Sequence, residues 1–241
     1  MGPLLIAAAG AVALVGGALV LRTFGPAYRV ARLLATTPLV DVETAVAAAG
    51  AAPRYLGVRG RIDSDDDFPD EHQRPLVFRL ARLQVRRGGT WRTVDEERRS
   101  VPFEIRQGIS AIAVDPDALE EGLVVIPRES NGVAADVAER LPAGTPGQAA
   151  VRYRIEQVSA VEHAVVLGVP EAVGATAILR PGLGRPLVLT TLETDEAMRI
   201  LAAGRRRRPA LAAGLLVGGL GLVAVGLAWG VLGSLVPRFA G

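Results

Sequence analysis

The sequence predicts an α+β membrane protein: two transmembrane helices flanking one β-rich soluble domain, barrel- or sandwich-like, with short helices at the junctions. Three observations predict it. Residues 3–21 and 210–236 carry no charge. Between them, apolar and polar residues alternate with the period of two that marks half-buried strands. The second apolar stretch is preceded by four consecutive arginines, Arg205, Arg206, Arg207 and Arg208.

At about 1.5 Å per residue, each apolar stretch is long enough to cross a hydrocarbon core of about 30 Å as a helix. The flanks facing the central region hold Arg22, Arg29, Arg32 and the four-arginine block, whereas the outer flanks offer only the N-terminal amine and Arg238. The positive-inside rule then puts the central region in the cytoplasm and both termini outside an inner (cell) membrane. The domain plan is a first span over 1–22, a juxtamembrane helical segment over 23–50, a β-rich domain over 51–204, and the arginine flank with a second span over 205–241.

The elements follow in order. The first apolar run exceeds the usual core of a cleaved signal peptide, so a retained anchor is expected. Small residues recur four apart at Ala9, Ala13 and Gly17, at Ala210, Gly214 and Gly218, and again at Gly226 and Gly230. That spacing lets helix backbones approach, and it predicts that the spans pack on each other or on a second copy. Tyr28, Val30, Ala31, Leu33 and Leu34 alternate with Arg29 and Arg32 in a segment that either lies in the lipid interface or only fixes topology. Asp41 as N-cap and Gly50 as stop frame a short helix over 42–49.

Beyond it, residues 55–62, 76–85, 101–105 and 151–158 alternate as strands do. Gly88-Gly89 between two runs predicts a hairpin whose strands end near Val85 and begin near Trp91. Apolar runs over 111–114, 123–126, 164–169 and 187–191 supply further strands. Residues 195–201 form a helix, with acids in its first turn and Gly204 after its end.

Composition excludes several chemistries. All 27 basic residues are arginine, so there is no lysine for a P-loop, a kinase strand or a Schiff base. With no Cys there is no thiol nucleophile and no thiolate metal site; with only His72 and His163 there is no histidine-rich metal cluster. No cofactor or metal is expected. Aromatic residues make up 4% of the chain, too sparse for base-stacking platforms, so nucleic acid is not expected as a partner.

The order of short motifs carries a resemblance. A leading apolar helix is followed by a Gly-x-x-Gly strand (Gly57 to Gly60) and by Pro75-Leu76-Val77-Phe78-Arg79. Trp91 then precedes Asp95-Glu96-Glu97 and Val101-Pro102-Phe103, and residues 114–119 follow as Val-Asp-Pro-Asp-Ala-Leu. Arg154-Ile155-Glu156, residues 165–169, Pro186-Leu187-Val188-Leu189, the acidic helix and the second span complete the series. This resembles the GIDE, or "beside a membrane", domain family, which includes the membrane-anchored part of the mitochondrial ubiquitin ligase MULAN. The resemblance implies a non-catalytic β domain held against a membrane. Ligase activity is not expected, because that family's RING module needs Cys ligands for zinc and this sequence has none.

Other candidate sites are weaker. The acidic run over 63–72 starts like an EF-hand loop, but position six is Phe68 rather than Gly and position twelve is Arg74 rather than Glu, so a solvated loop is expected. Ser130, Ser159, His72 and His163 lack a Gly-x-Ser-x-Gly elbow, and His163 is expected in a turn or at an edge. Arg79, Arg82, Arg86 and Arg87 on the central strands either meet lipid phosphates or pair with Asp and Glu.

The resulting expectation is a membrane-anchored, non-catalytic binding or scaffolding domain. Its partners would be the lipid bilayer and another membrane protein or a second copy. Two alternatives stay open: a membrane-bound hydrolase and a structural subunit of a membrane complex. The expected site residues are the flanking arginines (Arg22, Arg29, Arg32, Arg205, Arg206, Arg207, Arg208) and the helix-packing glycines (Gly214, Gly218, Gly226, Gly230).

Overall fold

The structure, a computed structural model, describes residues 2–23, 25–119, 122–202 and 207–235. The chain divides into two compact units, Met1–Arg29 with Leu201–Gly241, and Val30–Ile200.

The first unit is a helix hairpin made by α1 (Gly2–Thr23) and α5 (Arg207–Leu235). The helices run antiparallel: Gly10 faces Gly219 and Val223, while Gly17 faces Leu216. Among the described residues, one helix is long and apolar enough to cross a membrane, over Ala212–Trp229 in α5. The apolar part of α1, Leu4–Val20, is shorter; at about 1.5 Å per residue it reaches about 26 Å, against a core of about 30 Å. The two-span expectation is therefore met by one helix.

Helix α2 (Gly25–Thr36) follows, burying Val30 and Leu33 and leaving Tyr28, Arg29 and Arg32 exposed. Strand β1 (Leu39–Val40) leads into α3 (Val42–Ala48). As expected, Asp41 caps α3: its carboxylate accepts the Thr44 N–H at 2.7 Å, and hydrogen bonding from Thr44, its side chain first and its N–H second, holds the Asp41 pKa below its ordinary value. The Val42 N–H, another donor left over at the helix start, goes to the Gln107 side-chain oxygen. Val42 and Ala45 are fully buried in the main core.

The strands are β2 (Leu56–Asp63), β3 (Phe68–Pro69), β4 (Pro75–Arg87), β5 (Thr90–Ser100), β6 (Phe103–Gln107), β7 (Ser110–Val114) and β8 (Leu123–Val124). They continue as β9 (Arg128–Val133), β10 (Ala150–Ser159), β11 (His163–Val173), β12 (Thr176–Arg180) and β13 (Val188–Thr190). Helix α4 (Thr194–Ala202) ends the body.

Five of these strands close on themselves in the order β2-β6-β7-β12-β11 and back to β2. Only β7 and β12 are parallel; the other four pairs are antiparallel. This is a small Greek-key barrel with an OB-like strand order. Closing a sheet so tightly needs backbone without side chains at the contact, and β2 supplies it. A Cβ on Gly60 would lie 2.5 Å from the Arg106 carbonyl oxygen, and one on Gly57 2.5 Å from a Leu167 methyl. Val58, Ile62, Ile105, Ile112, Val166 and Leu179 fill the interior.

The two stretches between barrel strands, 64–102 and 115–162, together build a second sheet. Its order is β9-β10-β4, with β5 and β3 sharing the other edge of β4. The β4–β5 hairpin turns at Gly88 and Gly89, both at positive φ, where the sequence places it. Strands β1, β3, β9 and β12 were not expected. All but the last residue of β9 are exposed and it shows no apolar alternation, so only backbone pairing with β10 defines it.

Candidate functional site

In the helix hairpin, close approach occurs where two glycines coincide. A Cβ on Gly10 would lie 2.7 Å from the Gly219 carbonyl oxygen, and one on Gly219 2.9 Å from that of Gly10. Ala212, Gly219 and Gly226 are buried at seven-residue intervals on α5, opposite Gly10 and Gly17 on α1. A stripe repeating every seven residues is the seam two helices share along their length.

Gly226 lies on that seam. Gly214 and Gly218 are exposed, with open space around them, so the α1–α5 contact uses another face of α5; Gly230 is helical, and its surroundings lie outside the described residues. The contact residues Gly10 and Gly219 were not among those expected. The signal for them was the seven-residue repeat rather than the four-residue one. The outer faces carry large apolar side chains, among them Leu4, Val12, Val217 and Trp229, each more than half exposed.

Of the flanking arginines, Arg29 and Arg32 are exposed on α2, Arg22 lies in the last turn of α1, and Arg207 and Arg208 open α5. Arg205 and Arg206 lie outside the described residues.

In the β-rich body the charged residues are organised by the second sheet. Arg82 bridges Glu96 at 2.8 Å and Glu156 at 3.0 Å; Arg154 bridges Glu156 at 2.8 Å and Glu129 at 3.2 Å. Arg152 donates to the Gln84 side-chain oxygen and stacks over the Trp91 ring at 4.7 Å. Arg79 faces Glu71 at 3.7 Å. Arg82 is thus neutralised by acids from the strands on either side, the cross-strand pairs that hold charged sheet faces in register, and Arg79 by Glu71 from the turn before β4.

The acidic run divides in two. Asp65, Asp66 and Asp67 are exposed, whereas Asp70 turns inward, its side chain 5% exposed. Its carboxylate accepts the backbone N–H groups of His72 at 2.8 Å and Arg74 at 2.9 Å, and the Arg74 guanidinium at 2.8 Å. These donors, the Arg74 backbone first among them, hold its pKa well below the usual carboxylate range. A depressed folded pKa contributes stability above the unfolded value of about 3.9, and that contribution is lost as pH falls through the folded one. Hydrogen exchange at the His72 and Arg74 amides, corrected for intrinsic rates, should therefore show constant protection from pH 7 to 5 and falling protection in strong acid. Asp70→Asn should raise exchange several-fold at pH 7 and flatten the acid dependence. Unchanged protection in the variant would show that the carboxylate does not organise this loop.

Beside Asp70 lies a cleft of about 300 Å3 lined by Glu71, Arg79, Arg128, Ser130, Tyr153 and Gln157. A second cleft of about 180 Å3 holds His163 with Arg59, Thr190 and Glu193, Arg59 and Glu193 being paired at 3.2 Å. His163 opens β11 rather than lying in a turn. The Ser159 hydroxyl donates to the Pro75 carbonyl at 3.0 Å. The four hydrolase candidates therefore fall in different places: Ser130 in one cleft, His163 in another, Ser159 tied to Pro75 and His72 in the Asp70 turn. No family model, curated protein or solved structure matches the chain.

Proposed function

We propose that the chain is a two-span integral membrane protein whose β-rich body, held on the cytoplasmic side, is a non-catalytic binding or scaffolding module of the GIDE type. The observation that carries it is the division of the chain by polarity. The α1–α5 hairpin meets through glycines and turns leucines, valines and Trp229 outward, an arrangement suited to lipid and costly in water. Among the described residues, the ion pairs, the two clefts above and the acidic turn belong to the region between the two helices. A helix shorter than the hydrocarbon core is accommodated by local thinning at modest cost, so α1 qualifies beside α5. An OB-like barrel is no argument for nucleic acid, since function resides in sites rather than folds.

The reading is tested by topology. Alkaline phosphatase fused after Gly241 should be active, as an exported reporter is, and the same reporter inserted in the loop at Gly144 should be inactive. The reverse pattern would invert the orientation, and activity at neither site would remove the anchor. Affinity purification of the intact chain from mild detergent should recover a protein partner in fixed proportion; recovery of the chain alone, with turnover of a model ester, would favour the hydrolase.

A further inference from the structure

We infer that the tip of the β4–β5 hairpin docks on the surface of an anionic lipid bilayer. Residues 86–92 run Arg-Arg-Gly-Gly-Thr-Trp-Arg, three positive charges with no acid. Arg86, Arg87 and Arg92 are exposed. The guanidinium of Arg87 donates to the Thr145 hydroxyl at 3.4 Å, a neutral partner. Among the described residues none of the three arginines takes part in an ion pair, whereas Arg82, Arg152 and Arg154 on the same sheet are each within 4 Å of a glutamate. The sheet thus pairs Arg82, Arg152 and Arg154 with acids, and Arg98 and Arg99 at the far end of β5 lie over the Phe78 and Phe68 rings, while Arg86, Arg87 and Arg92 cluster at the tip with no acid beside them in sequence.

Two further observations say what the charge is for. Trp91, half-buried, stands at the same tip with Arg152 stacked on its ring; an indole is apolar with one polar edge and favours the headgroup level of a bilayer. The adjoining loop, residues 141–149, carries no charge and includes Leu141, Pro142, Ala143 and Pro146, so the loop itself adds no repulsion toward a negative surface. A nucleic acid strand would need a basic track with several stacking rings. Here the track is closed off by glutamates and there is one ring. A flat anionic surface asks only for a compact cluster, and each arginine near such a surface contributes about 1 kcal/mol, about a fivefold gain in partitioning.

The inference does not depend on the membrane-span reading, and the test separates the two. The full chain carrying Trp229→Phe, so that Trp91 is its one tryptophan, is placed in phosphatidylcholine nanodiscs and mixed at low salt with sucrose-loaded vesicles. The vesicles are phosphatidylcholine alone, or the same with about one third phosphatidylglycerol. The chain should sediment with the anionic vesicles only, with a blue shift of Trp91 emission, and should be released by salt. Arg86→Ser/Arg87→Ser/Arg92→Ser should weaken sedimentation about a hundredfold, from about fivefold per arginine, while the triple change to Lys should retain it. Equal recovery on both vesicle types, or a serine variant that sediments like the parent, would overturn the inference. So would a Trp91 response to a single-stranded oligonucleotide with none to the anionic vesicles. If the chain fails to enter nanodiscs, the span reading fails, and the same sedimentation run on the lipid-free chain still decides the docking.

Discussion

Gly60→Val should destabilise the barrel by about 3 kcal/mol, the upper end of the cost of overpacking. The added Cβ would stand 2.5 Å from the Arg106 carbonyl oxygen and 2.8 Å from an Ile105 methyl. The methyl can turn aside, but the oxygen belongs to the strand that pairs with β2, where Arg61 faces Arg106. Relief therefore means opening the β2–β6 seam of a closed barrel. For a body of this size, about 3 kcal/mol corresponds to a fall in melting temperature of about 6 to 12 °C. Gly57→Ala is the control. Its Cβ would meet the far ends of Leu167 and Leu39, which can rotate, so a loss of about 1 kcal/mol is expected. Thermal melts followed by strand circular dichroism would decide, and equal losses in the two variants would argue against a barrel closed at Gly60.

Gly10→Leu should part the two apolar helices. The new side chain would have to occupy space held by the Gly219 carbonyl oxygen at 2.7 Å and the Val223 backbone nitrogen at 2.8 Å. Neither can move without the helix moving, so the axes must separate. A cost of about 2 kcal/mol would lower the packed population about thirtyfold. The absence of Cys makes the measurement clean: a Leu14→Cys/Leu216→Cys pair on the facing sides can be bridged by a short bismaleimide in detergent or nanodiscs. Gly10→Leu should abolish most of the bridged product, whereas Gly214→Leu and Gly218→Leu, which point into open space, should leave the yield unchanged. If Gly214→Leu is the variant that breaks the bridge, the helices meet along the four-residue stripe instead.

These two positions show how far sequence reasoning reached. Alternation placed β2, β4, β6 and β10, and capping logic placed α3 with Asp41 at its start, because each of those signals is local. Gly-x-x-Gly was visible as a motif, but its purpose was not: the atoms that exclude a side chain at Gly60 come from residues 105 and 106. In the Gly-rich α5, spacings of four recur on several faces, and the face opposed by Gly10 is known only once α1 lies against it. The arginines tell the same story. The sequence leaves Arg82 either to meet lipid phosphates or to pair with an acid, and does not say which acid: its partners Glu96 and Glu156 are 14 and 74 residues away. Strand β9 left no hydrophobic trace, since pairing with β10 is a backbone matter.

The second sheet has a consequence for how the body is made. Its two central strands come from different excursions of the chain: β4 leaves the barrel after β2, and β10 leaves it after β7. During synthesis β4 and β5 emerge long before β10, so one edge of β4 stays bare until the second excursion arrives. A chain interrupted between the two would display one bare edge of a strand of 13 residues. The body is accordingly an all-or-none assembly, slow to form because its central pairing joins distant segments, and prone to aggregate wherever translation stops early.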